Sequence, residues 1–239
     1  MVFSTEHQLE LPNNFPSDEM VAFMASARQV LLNPTKSEAW KEFGGASNLI
    51  GWRFRSCHED MTQYIESWKK YGPGISFEEM YTRERALFGM FTAGVSCIES
   101  TCYALNALVS HQSILDMQFG EDEQRSCSPV RLKKCLSKYP KALSLSNVLK
   151  TLTISEEWAL WVDLRNRMTH RSNLPCINFM GTDPLPSSKA LHFAATSSTP
   201  SIEIDVLHLE NMFTWLADSL RQLLLEGNKV SKLTNTKPL

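Results

Sequence analysis

Between Phe88 and Val109 the apolar residues Phe88, Phe91, Val95, Ile98, Cys102, Leu105 and Val109 recur at intervals that alternate three and four. On an α-helix this places them on one stripe, whereas a strand would scatter them over both faces. A stripe this regular requires other helices to pack against, which makes the chain predominantly helical. The span Leu87 to Val109 also has the length of a membrane helix. Glu99 at its centre, with Ser96, Ser100, Thr101 and Asn106 around it, argues for a buried helix of a soluble protein.

The remaining elements follow from the same periodicity and its punctuation. Residues 1–16 are polar and interrupted by proline, as in an arm or loop. Ser17 is positioned to cap a helix over Asp18 to Leu32, with Met20, Phe23, Met24, Ala27 and Val30 inward, ended by Asn33-Pro34. A second helical region opens at Ser37 and ends at Gly72-Pro73-Gly74, with a break possible around Gly44, Gly45 and Gly51. Ser76 caps a third, carrying the stripe toward Leu115. Short helical elements are expected over Pro129 to Lys138 and over 141–151. Residues 173–201 hold Pro175, Pro184, Pro186 and Pro200 among many serines and threonines. Within this excursion LHFAAT and SIEIDV alternate as the strands of a small hairpin. A last helix from Val206 to Glu226 places Leu209, Met212, Phe213, Leu216, Leu220, Leu223 and Leu224 inward, with Gly227 and Asn228 at its end. The expectation is an all-α fold, a helical bundle of long antiparallel helices with a small β-like insertion before the last one. It comprises an arm (1–16), a single domain (17–228) and a polar tail (229–239).

With 239 residues, 43% of them hydrophobic and 21% charged, the chain can bury a substantial core. A net charge of −2 gives no global attraction to nucleic acid or membrane, so any such binding needs a local patch. Cys57, Cys97, Cys102, Cys127, Cys135 and Cys176 form no CxxC pair and no zinc-type spacing with histidine. With no signal peptide at the start, they read as reduced cytoplasmic thiols, and no metal or other cofactor is expected.

Cations concentrate in two places. Arg125, Arg131, Lys133, Lys134, Lys138 and Lys141 have no acidic residue among them, as in either a solvated face or a phosphate-attracting patch. The other concentration ends the amphipathic helix Ser155 to Ser172. Ser155 is a good N-cap, Glu156 and Glu157 suit the first turn, and Arg165, Arg167, His170 and Arg171 suit the last. At about 100° per residue, Arg165 projects within the apolar arc of Trp158, Leu160, Trp161, Val162, Leu164 and Met168. A guanidinium there must be paired or line a cleft.

Arg165-Asn166-x-x-x-His170, on a core helix followed by a loop and a final helix, resembles the motif of the HEPN superfamily, the higher eukaryotes and prokaryotes nucleotide-binding domains. That resemblance covers about Ser37 to Glu226 and implies a metal-independent endoribonuclease of toxin–antitoxin or antiphage type. It further implies a homodimer whose two motifs face one cleft, with an antitoxin or defence partner protein. Carried over, His170 serves as general acid or base on the ribose 2′-hydroxyl or the leaving oxygen, and Arg165 holds the scissile phosphate. Asn166 orients the pair or binds the phosphate. Arg167, Arg171, Arg131, Lys133 and Lys134 would contact RNA. The residue types suit this chemistry, since imidazole titrates near neutrality and guanidinium binds phosphate bidentately without losing its proton.

Glu99, beside the Val95/Cys102 stripe, reads either as a plain polar flank or as the acid that pairs with or positions Arg165. The long excursion and the Ser17–Leu32 helix depart from the family pattern. The same residues would also serve a non-catalytic HEPN-like module that binds nucleotide, RNA or protein, or a purely structural bundle in which Arg165 is simply paired. Arg53-Phe54-Arg55-Ser56-Cys57-His58 repeats the Arg-to-His spacing, but His58 lies in line with Phe54, Met61, Ile65 and Trp68 and reads as a core or interhelix histidine.

Overall fold

The computed structural model describes residues 1–32, 39–72, 76–170, 192–194 and 202–233. Among these the chain is all-α, and its strands are confined to two short hairpins. The hairpin β1 (Val2–Ser4) and β2 (Leu9–Leu11) precedes α1 (Ser17–Leu31), α2 (Ala39–Tyr71) and α3 (Phe77–Val109). Then come α4 (Glu121–Arg125), α5 (Pro129–Leu136), α6 (Leu143–Ile154) and α7 (Glu156–His170). A second hairpin, β3 (His192–Ala194) and β4 (Ile202–Ile204), leads into α8 (Val206–Ser231). Two compact units result. The first holds Met1–Arg53, Ser96–Ser155 and Leu216–Leu239, and the second holds Phe54–Val95 and Glu156–Trp215.

In the first unit the N-terminal segment is not a loose arm. β1 and β2 pair antiparallel, Val2 opposite Leu11 and Ser4 opposite Leu9. Leu11, Phe15 and His7 are all buried. The His7 ring bonds Ser4 Oγ through Nδ1 at 3.1 Å and the Ser47 carbonyl through Nε2 at 3.3 Å. Gly51 makes this seat possible, since a Cβ there would overlap the His7 ring at Cδ2. The suspected break in α2 is therefore absent: helix-weakening glycine is used here for close approach.

The end of α8 teaches the same lesson. The helix continues through Gly227 and Asn228 to Ser231. A Cβ at Gly227 would meet Leu105 Cδ2 at 2.7 Å and Phe23 Cε2 at 2.8 Å, so this glycine admits neighbouring side chains and does not end the helix. Ser26 Oγ donates to Asn228 Oδ1 at 2.8 Å across the same contact. Ser17, expected as a cap, is the first helical residue of α1, and Pro16 takes the cap position with no side-chain bond. α5 is capped by Ser128, whose Oγ accepts from Arg131 N at 3.2 Å, and it packs on α6.

In the second unit α2 ends at Gly72, whose φ of +57° is the left-handed conformation common after a helix. Arg83 seals that end. Its guanidinium, 3% exposed, donates to Ser67 Oγ at 2.9 Å, the Ser67 carbonyl at 2.8 Å and the Gly72 carbonyl at 2.8 Å. It also lies 4.9 Å from the centre of the Trp68 ring. Buried carbonyls at a helix end are costly without donors, and one cation satisfies two of them here. Together with the Arg85–Gln63 bond, these contacts run the C-terminal part of α2 antiparallel to the N-terminal part of α3.

The three-and-four stripe of α3 is largely buried, from Phe91 to Val109. Phe88 is the exception at 40% exposure, and Leu87 and Met90 take the inward positions. α3 also stops at Val109, short of Leu115. The hairpin expected from LHFAAT and SIEIDV forms, with His192 opposite Ile204 and Ala194 opposite Ile202. No helix among the described residues is long and apolar enough to cross a membrane.

Candidate functional site

α7 is oriented by its aromatic side chains. Ser155 has extended backbone (ψ 147°) and breaks the chain between α6 and α7, its Oγ donating to the Leu152 carbonyl at 2.9 Å. Trp158, Leu160, Trp161 and Leu164 are then buried. The Trp161 ring meets Phe91 edge-on, centroids 5.4 Å apart. It fills the space over Gly94, where a Cβ would overlap the ring at Cζ3. This lock sets the helix rotation, and with it the presentation of the motif one turn later.

Arg165, Asn166 and Arg167 are half-buried, and Thr169 and His170 are exposed. Arg165, expected within the apolar arc, is half-buried, and both Arg165 and Arg167 have partners within the protein. The Thr169 hydroxyl donates to the Arg165 carbonyl at 2.7 Å and ties the last turn together. The Asn166 amide makes no hydrogen bond to another described side chain. Nearby on the same helix, Asp163 Oδ2 and Trp161 Nε1 are buried without hydrogen-bond partners among the described residues. Arg171 lies outside the described residues, as does Cys176.

The other expected site residues belong to the first unit. Arg131 and Lys134 are exposed, and with Lys138 they occupy one face at and just beyond α5. Lys133 is half-buried and turned to α6, its Nζ 3.4 Å from Thr153 Oγ1 while its carbonyl accepts from Ser146 Oγ at 3.3 Å. Arg125 pairs with Glu121 on α4. Glu99 is half-buried and lines a cavity with Glu42 and Tyr103. Nothing in the sequence singles out Glu42 or Tyr103, because each looks like an ordinary helical position until its neighbour on the other helix is known.

The second Arg-to-His sequence is built differently. Phe54, Met61, Ile65 and Trp68 are buried as expected, and the half-buried His58 ring lies 5.3 Å from Phe213. Desolvation lowers its pKa, and its Nδ1 is buried without a partner among the described residues. His208, at the start of α8, is likewise lowered by burial, and its amide N–H donates to the capping carboxylate of Asp205 at 2.6 Å.

Among the described residues no three His, Cys, Asp or Glu side chains converge as metal ligands. None of Cys57, Cys97, Cys102, Cys127 and Cys135 forms a disulfide among the described residues. No protein-family model, curated protein or solved structure matches this chain.

Proposed function

We propose that this chain is a HEPN-type endoribonuclease that works without a metal ion, cutting RNA by attack of a ribose 2′-hydroxyl on the adjacent phosphate. What supports the reading is one observation: the RNxxxH residues occupy the end of a helix clamped by Trp158 and Trp161, with Asn166 half-buried and His170 at the exposed last position. In this reading His170 takes the 2′-hydroxyl proton as the new O2′–P bond forms. The P–O5′ bond breaks, and the leaving oxygen is protonated by the imidazole of a second copy's motif across a dimer cleft. Arg165 binds the phosphate and stabilises its developing charge, and Asn166 orients the pair. Arg167, Arg171, Arg131, Lys133 and Lys134 hold the flanking backbone. A toxin or antiphage role in the cytoplasm, with an antitoxin or defence protein as partner, belongs to the same reading.

The alternative is a non-catalytic HEPN-like module that binds nucleotide, RNA or protein. It is favoured by the partners that Arg165 and Arg167 already have within the protein. The two are separated by incubating labelled RNA with the purified chain in EDTA, beside Arg165→Ala and His170→Ala variants shown to be folded. Cleavage in chelator that both substitutions abolish supports the nuclease. RNA binding without cleavage supports the module, and cleavage that survives both substitutions refutes the site.

A further inference from the structure

In the first unit α2 and α3 touch where the Cys97 thiol meets the Ile50 carbonyl at 3.5 Å. Beyond that contact they part around a cavity of about 420 Å³, a volume suited to a small molecule. α2 presents Glu42, Gly45, Ala46 and Leu49 to it, and α3 presents Ser96, Glu99, Ser100 and Tyr103. Each set has the i, i+3, i+4, i+7 spacing of a single helix face, the face that ordinarily carries apolar residues where helices pack. Here Glu42, Ser96, Glu99, Ser100 and Tyr103 put polar groups on it, beside Ala46 and Leu49.

The polar groups are chiefly acceptors. Tyr103 donates its hydroxyl proton to Glu42 Oε2 at 2.9 Å, and desolvation, with that carboxylate beside it, pushes the phenol up to about 12. Burial pushes the Cys127 thiol, on the cavity wall, up to about 11, so it stays neutral. Among the described lining residues Lys41 is the one cation against the carboxylates of Glu42 and Glu99, and both Lys41 and Glu99 already have partners. The hydroxyls of Ser96 and Ser100 make no hydrogen bond to another described residue. One turn past Tyr103, Asn106 is 7% exposed and donates to Cys127 Sγ at 3.7 Å. Its Oδ1 is buried with no partner among the described residues, which is costly for an amide carbonyl.

We infer that this cavity binds a small organic cation rich in N–H donors, a free amine or guanidinium compound. The two carboxylates and the acceptor lone pairs of the serine hydroxyls together suit several donors and a positive charge. A metal ion fits the site poorly, since no three ligating side chains converge among the described residues. An anion would meet two carboxylates for one ammonium. The site lies in the unit that does not contain Arg165, so the inference stands apart from the nuclease reading.

The test is calorimetry and thermal melting of the full chain with spermidine and with arginine amide, against NaCl and MgCl₂ at matched ionic strength. A saturable response to either amine is expected, weakened about tenfold by Glu42→Gln or Glu99→Gln. Gly45→Leu is expected to abolish it while preserving the fold, because a Cβ at Gly45 enters open space. That variant decides the matter if the glutamate substitutions unfold the chain. A melting temperature that rises no further than with matched NaCl, an equal response to MgCl₂, or undiminished binding by Gly45→Leu overturns the assignment.

Discussion

Arg53 to His58 and Arg165 to His170 share one spacing and stand in opposite physical situations. His58 lies midway along α2, and the helix continues past it to Tyr71, so Phe213 packs beside its ring and burial partly desolvates it. His170 is the last residue of α7 and is exposed. The residue after each arginine sharpens the contrast: Phe54 is fully buried, whereas Asn166 is a half-buried amide at the edge of the core. The same spacing thus meets a ring packed against Phe213 in α2 and an exposed ring at the end of α7.

The largest expected effect tests the contrast directly. His170→Ala should lower RNA cleavage by about 10²–10⁴-fold, the usual worth of a general acid or base, and Arg165→Ala should lower it comparably. His58→Ala should leave the cleavage rate of the folded protein nearly unchanged. Single-turnover assays in EDTA, normalised to the folded fraction, distinguish the three. Equal losses at His58 and His170 would erase the distinction between the two sequences.

Phe54→Asn converts the α2 sequence to a complete RNxxxH. It should create no activity and should destabilise the chain by about 3–5 kcal/mol, through a cavity and a buried amide. Urea unfolding of this variant measures that loss. A stable variant with new cleavage activity would mean that sequence outweighs position.

Gly94→Ala probes what orients α7. The added Cβ would overlap Trp161 at Cζ3, so the helix must shift. Stability should fall by about 1–3 kcal/mol, and cleavage should fall further than the folded fraction explains. Activity that simply tracks stability would show that the Trp161 lock has no part in presenting the motif.

The smallest effect is a pH dependence. Burial lowers the pKa of His58 and His208, and of His7 and His111, below the ordinary 6.5. Above that value both folded and unfolded imidazoles are neutral, and stability is at its full level. As pH falls through 6.5 the unfolded chain takes up protons that the folded chain refuses. Stability therefore declines until the lowered folded values are reached, and these histidines add no further loss below them. Urea midpoints between about pH 7.5 and about pH 5.5 should show this fall, and His58→Gln should make it shallower. A flat profile in the parent chain would indicate that the rings are solvated.

Much of this architecture was legible in the chain because hydrophobic periodicity is a local signal. The α3 stripe, the inward set of α8, the apolar line through His58 and the β3/β4 hairpin all appear where their spacing puts them. Two of the failures share a cause, which is that glycine serves two opposite purposes. Gly51 and Gly227 read as weak points or ends, whereas His7 and the Phe23/Leu105 pair occupy the space their missing side chains leave. Of the candidate site, helical geometry put Arg165 within the apolar arc, where it is half-buried, while the exposure of His170 was not legible from spacing. The burial of Leu11 and Phe15 beside a hairpin was not either, because a short strand pair carries little periodic information.

The sequence alone therefore determined the helical class, the inward faces and the placement of Arg165, Asn166 and His170 on one helix end, all consequences of spacing along a single element. Tertiary structure decided which of two equal Arg-to-His spacings has its histidine packed against Phe213 and how Trp161 seats on Gly94. It also decided that Glu42, Glu99 and Tyr103 share a cavity. Those outcomes depend on which residues from distant parts of the chain come within a few ångströms of one another, and spacing within one helix carries no information about that.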